Sequence, residues 1–448
     1  MTTRNLSIAI IAALLFSGSM KAQDNPQKFT LQQCLDFAVN NSYAVRRSNL
    51  DIREADYQKQ EALAGVLPQV NASGSIDNNL AIAKVILPGE IVGQPGTTIA
   101  AEMGTKYVLD ASARVEQVVF SSSLFTGIKI AKNSLELQKL RATMTGEELI
   151  FNVSYAYYDI LNSVQELENI SYMIGRQDSL YALTKRQVEE SITREVDLNR
   201  LKVNLSNLRV RSENIQNAIA QQKRYLQILI GMSIEESIEL DGSEINSTAQ
   251  AVQTPPLQSH TELEILAKQK DILDLEIRQI KSEYLPTLSF VASGGYQFQA
   301  ENLRLSKEPW FNSFLIGARL SIPVFDGFGK RSQVRQKRMQ LQRLDTDIQE
   351  ASQNIDMSYR NAQQQLGVSR KSVSAQNENL QLAEKVYSQT LLLYQEGMAG
   401  MTDLLETETS LSEAKTTYTA ELIRYKKTEI DLLKAGGRLE ELITKKVK

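Results

Sequence analysis

Cysteine and histidine are nearly missing from this chain: Cys34 and His260 are the only ones among 448 residues. One cysteine excludes an internal disulfide framework and any cysteine-based zinc cluster. One histidine makes a Ser/His/Asp arrangement untenable, and His260 itself, at the start of a helix, reads as a polar surface residue. Glycine-rich phosphate loops are also absent, since Gly294-Gly295 falls inside an expected strand. No catalytic residue, metal ligand or cofactor is therefore expected, and the chain reads as no enzyme. Proline is scarce at nine residues, which permits long uninterrupted helices. There is no excess of positive charge, the formal net charge being -3, so nucleic acid is not expected as a partner. Past the N-terminus no stretch approaches 18 consecutive apolar residues, so no transmembrane helix is expected.

What is present begins with an export signal. Arg4 precedes an apolar run from Leu6 to Phe16, followed by Ser17, Gly18, Ser19 and Ala22. These are the parts of a signal peptide spanning residues 1–22, with cleavage expected after Ala22. Cys34, in Leu31-Gln32-Gln33-Cys34, lies beyond this segment after several polar residues and reads as a small buried hydrophobe of a helix.

The remainder is written twice. Residues 23–245 and 260–448 each hold a helix ending at a Leu-Pro step (Leu67-Pro68, Leu285-Pro286), because the residue before proline is pushed out of the helical region. An expected β-hairpin follows, at about 69–120 and 287–325. Then comes a long helical hairpin, at about 127–231 and 329–436. The breaks in the long helices match: Glu190 to Leu198 against Glu396 to Leu404, which places Asp197 and Asp403 206 positions apart, as are Gly231 and Gly437. The polar stretch at 246–259, with Pro255-Pro256, reads as a connector between the two repeats.

Two periods run through each repeat. Val153, Tyr157, Ile160, Val164 and Leu167, then Leu198, Leu201, Leu205 and Leu208, follow the alternating three- and four-residue steps of a coiled-coil seam. From Gly127 to Glu190 such a helix would measure roughly 90–100 Å. The segments beside the Pro and Phe landmarks alternate with period two. Leu109, Ala111, Ala113 and Val115 alternate with Asp110, Ser112, Arg114 and Glu116, and similar patterns cover 70–77, 287–299 and 313–322. This pattern suits either soluble hairpins packed on a core or membrane strands with one lipid-facing side. The polar coiled coils beside them offer no core, which favours membrane strands, and Tyr107, Tyr296, Phe298, Trp310, Phe311, Phe314 and Phe325 sit where an aromatic girdle would. The glycine- and proline-rich segment from Ala83 to Gly104 reads as a long external loop. Four strands cannot close a barrel, and an open sheet edge is not tolerated in lipid, so several copies must pool their strands; three would supply 12.

A signal peptide followed twice by helix, Leu-Pro, β-hairpin, Phe, long helix, tip and helix resembles the TolC family of outer-membrane efflux proteins. The opening Phe29-Thr30-Leu31-Gln32-Gln33-Cys34-Leu35, the run Pro323-Val324-Phe325-Asp326-Gly327-Phe328, and Tyr394-Gln395-Glu396-Gly397 with Thr402-Asp403-Leu404-Leu405-Glu406 carry the likeness. The resemblance implies an α+β membrane protein. In the outer membrane it would be a homotrimer, its 12-stranded β-barrel continuous with a long periplasmic α-helical barrel. It implies a passive channel working with a periplasmic adaptor protein and an inner-membrane transporter. Docking tips would fall at Ser191, Ile192, Thr193, Gly397, Met398 and Gly400. A periplasmic constriction would involve Asp403 and Glu406 as anionic rings, Tyr394 as a gating tyrosine, and Asp197 as the counterpart of Asp403. The family's basic gate residue is replaced by Ala399, and Arg194 is a candidate substitute from the other tip. The alternative for each carboxylate is a solvated helix face, and for each glycine an ordinary turn. A coiled-coil adhesin without a pore explains the helices but not the four strands, and a periplasmic adaptor would have one helical hairpin where this chain has two.

Overall fold

The computed structural model describes residues 28–243, 260–303 and 310–444. The expected signal peptide and connector lie outside the described residues. In chain order the elements are β1 (Lys28–Phe29), α1 (Leu31–Asn41), α2 (Tyr43–Ala64), β2 (Gln69–Asn78), β3 (Lys84–Pro88), β4 (Thr98–Glu102), β5 (Tyr107–Phe120), α3 (Ser122–Glu189) and α4 (Glu195–Ile230). There follow β6 (Glu239–Leu240), α5 (Thr261–Ser282), β7 (Thr287–Ala300), β8 (Trp310–Ser321), α6 (Gly329–Gln395), α7 (Met401–Ala435) and α8 (Glu441–Thr444). The chain divides into two compact units. One holds residues up to 47, 143–260 and from 354 on; the other holds 48–142 and 261–353.

The second unit contains a four-stranded antiparallel sheet in the order β2-β5-β7-β8. Its register brings the four alternating patterns onto common faces, since residues directly opposite one another point to the same side. One row across the sheet is Val70, Val115, Ala292 and Ile316; the next on that face is Ala72, Ala113, Gly294 and Phe314. The intervening row on the other face is Asn71, Arg114, Ser293 and Leu315, followed by Ser73, Ser112, Gly295 and Ser313. The sheet therefore has one apolar and one polar face. Gly295 is confined by a close approach: a Cβ there would lie 3.1 Å from the Ser112 Cβ. A register shift between Val118 and Phe120 is the one irregularity where β5 meets β7.

Three expectations are corrected here. The segment expected as a loop from Ala83 to Gly104 contains a second small ribbon, β3 paired with β4. Its alternation was hidden because each strand has only five residues, with Pro88 closing one of them. The first long helix starts at Ser122, not near Gly127. The Ser121 hydroxyl accepts the Leu124 N–H at 3.3 Å, and a serine cap sets a helix start more strongly than a nearby glycine. Phe298 does not join an exposed girdle: it is fully buried, its ring 5.4 Å from that of Trp310.

The first unit is built of α1, α4, α7 and long parts of α3 and α6. Helix α1 opens with a capping box, Thr30 Oγ1 accepting from Gln33 N at 3.2 Å while Gln33 Oε1 accepts from Thr30 N at 2.9 Å. Its buried face, Leu31, Cys34, Leu35 and Ala38, packs into a core with Val153, Tyr157 and Ile160 of α3, Leu226 and Ile230 of α4, and Ile423 and Ile430 of α7. Cys34 is wholly buried, and that burial pushes its thiol up to about 12. His260 is half-buried, not a surface residue: its Nε2 lies 3.1 Å from the Ala435 carbonyl oxygen at the end of α7.

Candidate functional site

The two breaks in the long helices form turns of the same design. Ile192 N donates to Gln187 O at 2.7 Å, and Met398 N to Leu393 O at 2.8 Å. Thr193 N and Ala399 N reach the same two carbonyls at 3.3 and 3.2 Å. Each turn needs one left-handed residue, at Ser191 (φ 60°) and Gly397 (φ 76°), 206 positions apart. Glycine adopts that conformation without strain and serine does not. Ser191→Gly is therefore expected to raise stability by about 1 kcal/mol, and Gly397→Ala to lower it by about as much. Denaturant unfolding of the two variants checks both signs. Ile192 and Met398 project from these turns with 67% and 66% of their surface exposed.

The residues expected at a constriction are dispersed in role. Asp403 is exposed, and its Oδ2 accepts the Gly400 N–H at 2.9 Å, so it closes the first turn of α7. Glu406 is exposed one turn further on and lines an open groove with Val196, Arg200, Val203 and Leu405. Asp197 is buried. Its carboxylate faces Arg200 Nη1 at 3.6 Å and Arg194 Nε at 3.8 Å, both on its own segment. Arg194 otherwise extends outward, with 85% of its side chain exposed. Tyr394 is half-buried beside Thr184 and Asp197; burial first, and then the Asp197 charge, raise its phenol above the ordinary range, while the Thr184 hydroxyl offsets part of the rise.

Sequence reasoning missed two participants. Arg200 Nη1 donates to Thr402 Oγ1 at 2.8 Å, tying the second turn of α4 to the first turn of α7. Deeper in the same helical unit, Glu408 of α7 is buried against Arg176 and Gln177 of α3, with Arg176 Nε 3.5 Å from Oε1 and Gln177 Nε2 donating to Oε2 at 3.3 Å. Burial raises the Glu408 carboxyl above its usual range, and Arg176 and Gln177 counter only part of that. The signal available in the sequence was Glu408 falling one turn after Leu404 on the inward side of α7. Further along this seam Tyr155 Oη donates to Asp431 Oδ1 at 2.5 Å, and Lys427 and Lys434 lie over the Tyr155 and Phe151 rings at 4.8 and 3.7 Å.

The apolar sheet face is the other candidate surface. Val70, Ile76, Tyr296, Phe314, Ile316 and Leu320 are all more than half exposed on it. Among the described residues no helix is long and apolar enough to cross a membrane. No group of acidic, histidine or cysteine side chains among the described residues could hold a metal ion.

A four-stranded sheet with an exposed apolar face and helices of 68 and 67 residues define a mixed helix-and-strand protein. The family model of the outer membrane efflux proteins matches residues 257–438. The outer membrane protein TolC of Salmonella enteritidis is 22% identical over 93% of this chain and 83% of its own length. The solved structure of CusC superposes with a TM-score of 0.72 at 16% identity, covering 92% of this chain and 93% of that one. The open-state outer membrane channel MtrE of Neisseria gonorrhoeae gives 0.69 at 15%, covering 91% and 88%. The chain is thus similar to TolC-like outer membrane efflux proteins over most of its length, and it shares the fold of their solved structures.

Proposed function

We propose that this protein is the outer-membrane duct of a tripartite efflux or type I secretion system, and that it works as a homotrimer. The observation that carries the reading is the sheet: one apolar face in register across four strands, with β2 and β8 as edges that no other strand pairs among the described residues. Unpaired backbone groups are not sustained in hydrocarbon. Because three successive antiparallel pairings leave β2 and β8 running in opposite directions, β8 of one copy meets β2 of the next antiparallel, and three copies close a ring of 12 strands. The polar face then lines the bore. The two repeats, 23–245 and 260–448, each supply one hairpin to the barrel and one to the helical tube.

At the periplasmic end the exposed tips with Ile192 and Met398 offer apolar anchors for an adaptor protein, which links the duct to an inner-membrane transporter. Substrate then moves through the bore passively. Asp403 and Glu406, exposed on one face of α7, form anionic rings when tripled by symmetry and favour cations. Tyr394 and Asp197 hold the closed arrangement, with Arg200, in place of Arg194, as the basic partner between the two hairpins. Support for this last substitution is the Arg200–Thr402 hydrogen bond set against the exposure of Arg194. The test is the mass of the detergent-purified protein together with its conductance in planar bilayers. A mass of three chains and a cation-selective pore are expected, with selectivity reduced in Asp403→Ala/Glu406→Ala; a stable monomer would overturn the assignment.

A further inference from the structure

Helix α3 meets α6 and α7 at one side chain. The Arg176 guanidinium lies 3.8 Å from the centre of the Tyr387 ring on α6, 5.4 Å from Tyr172 on its own helix, and 3.5 Å from the Glu408 carboxylate on α7. Glu408 is 4% exposed and Arg176 22%. Two buried polar atoms of the pair, Arg176 Nη2 and Glu408 Oε1, have no hydrogen-bond partner among the described residues, and nor has Gln177 Oε1. A half-satisfied buried ion pair contributes little stability, because the desolvation of both charges is not recovered. What such a pair does supply is discrimination: only one placement of the helices brings the two charges together, and every other leaves a charge buried alone.

The rest of the chain does not need it. The positions 206 residues away from Arg176 and Glu408 are Leu382 and Lys202, which are both exposed and form no such pair. A long helical hairpin of this design thus forms without the cluster. Beside the cluster lies an open cavity of about 600 Å³, lined by Tyr172, Leu183, Tyr387, Leu391, Tyr394 and Leu404. It leaves α6 and α7 room to shift, and Tyr394 connects it to the tip.

Resting on the duct reading above, we propose that Arg176 and Glu408 are positioning residues that lock the register of α6 and α7 against α3 and so hold the bore narrow. They act apart from the carboxylates at the tip. Removing either charge leaves its partner buried alone and drives the helices to another register, which widens the passage.

The experiment separates locking from mere stability. Glu408→Gln and the double variant Arg176→Met/Glu408→Met are compared with the wild-type trimer in bilayer conductance and thermal melting. Exchanging a buried pair for apolar side chains of similar length is neutral or stabilising. The double variant should therefore melt no earlier than wild type, yet show a mean conductance raised on the order of tenfold, as for a two-state element that loses one coupled contact. A second readout needs no pore: spin labels at Ser179→Cys on α3 and Ser410→Cys on α7, with Cys34 buried and unreactive, report the interhelix distance in detergent. A broadened or shifted distance in both variants is expected. Wild-type conductance in the double variant, or an unchanged distance distribution, overturns the lock. If the wild type neither trimerises nor conducts, the duct reading fails while the distance measurement still decides this one.

Discussion

Phe314→Arg is expected to keep the protein out of the membrane, while Ser313→Arg, one residue away, is tolerated. The two side chains stand on opposite faces of β8: Phe314 in a row with Ala72, Ala113 and Gly294, Ser313 in a row with Ser73, Ser112 and Gly295. Phe314 is 76% exposed on the apolar face, so in lipid its replacement meets hydrocarbon. An arginine on the lipid side of a barrel costs about 2–4 kcal/mol near the midplane. Cyclic symmetry applies that cost once per copy, so the assembled ring bears it three times. On the polar face the same side chain reaches water in the bore. The measurement is the fraction of each variant recovered as folded trimer from outer membranes. Equal recovery of the two would mean that the apolar face does not meet lipid.

The second large effect belongs to a glycine. Gly231 ends α4 with φ 79°, and a Cβ built there would lie 2.3 Å from the Asn41 carbonyl oxygen and 2.7 Å from its carbon. Gly231→Ala therefore combines left-handed strain of about 1–2 kcal/mol with a forced displacement of backbone worth about 1–3 kcal/mol. A loss of about 2–5 kcal/mol is expected, enough to cripple folding of a marginally stable unit. Gly397→Ala is the internal control, since its φ is equally positive but no atom lies within 4 Å of the added carbon. Thermal melts should rank Gly231→Ala well below Gly397→Ala; equal melting would show that the contact with Asn41 yields freely.

Much of this architecture was open to sequence reasoning because it is periodic. The alternations at 70–77, 107–115, 287–299 and 313–322 mark strands of the observed sheet, and the breaks at 190–195 and 396–400 mark the observed turns. The candidate site was less accessible. Asp403 and Glu406 could be placed on one helix face by their spacing, but spacing could not tell that Asp403 closes its own helix turn, nor that Asp197 is buried. Arg200 and Glu408 carried no motif at all. Each draws its role from partners far away in the chain, Thr402 for the one and Arg176 for the other.

The amino-acid order by itself determined the long helices, the four long strands, the turns between them and which side chains share a face, because side-chain period, proline sterics and turn chemistry act over a few residues. Tertiary structure alone decided what each face meets. Register across β2, β5, β7 and β8 turned four separate patterns into one apolar surface, and the packing of α3, α6 and α7 enclosed Arg176 with Glu408. A period gives direction to a face but names no partner, and the choice of partner rests on contacts between segments some two hundred residues apart.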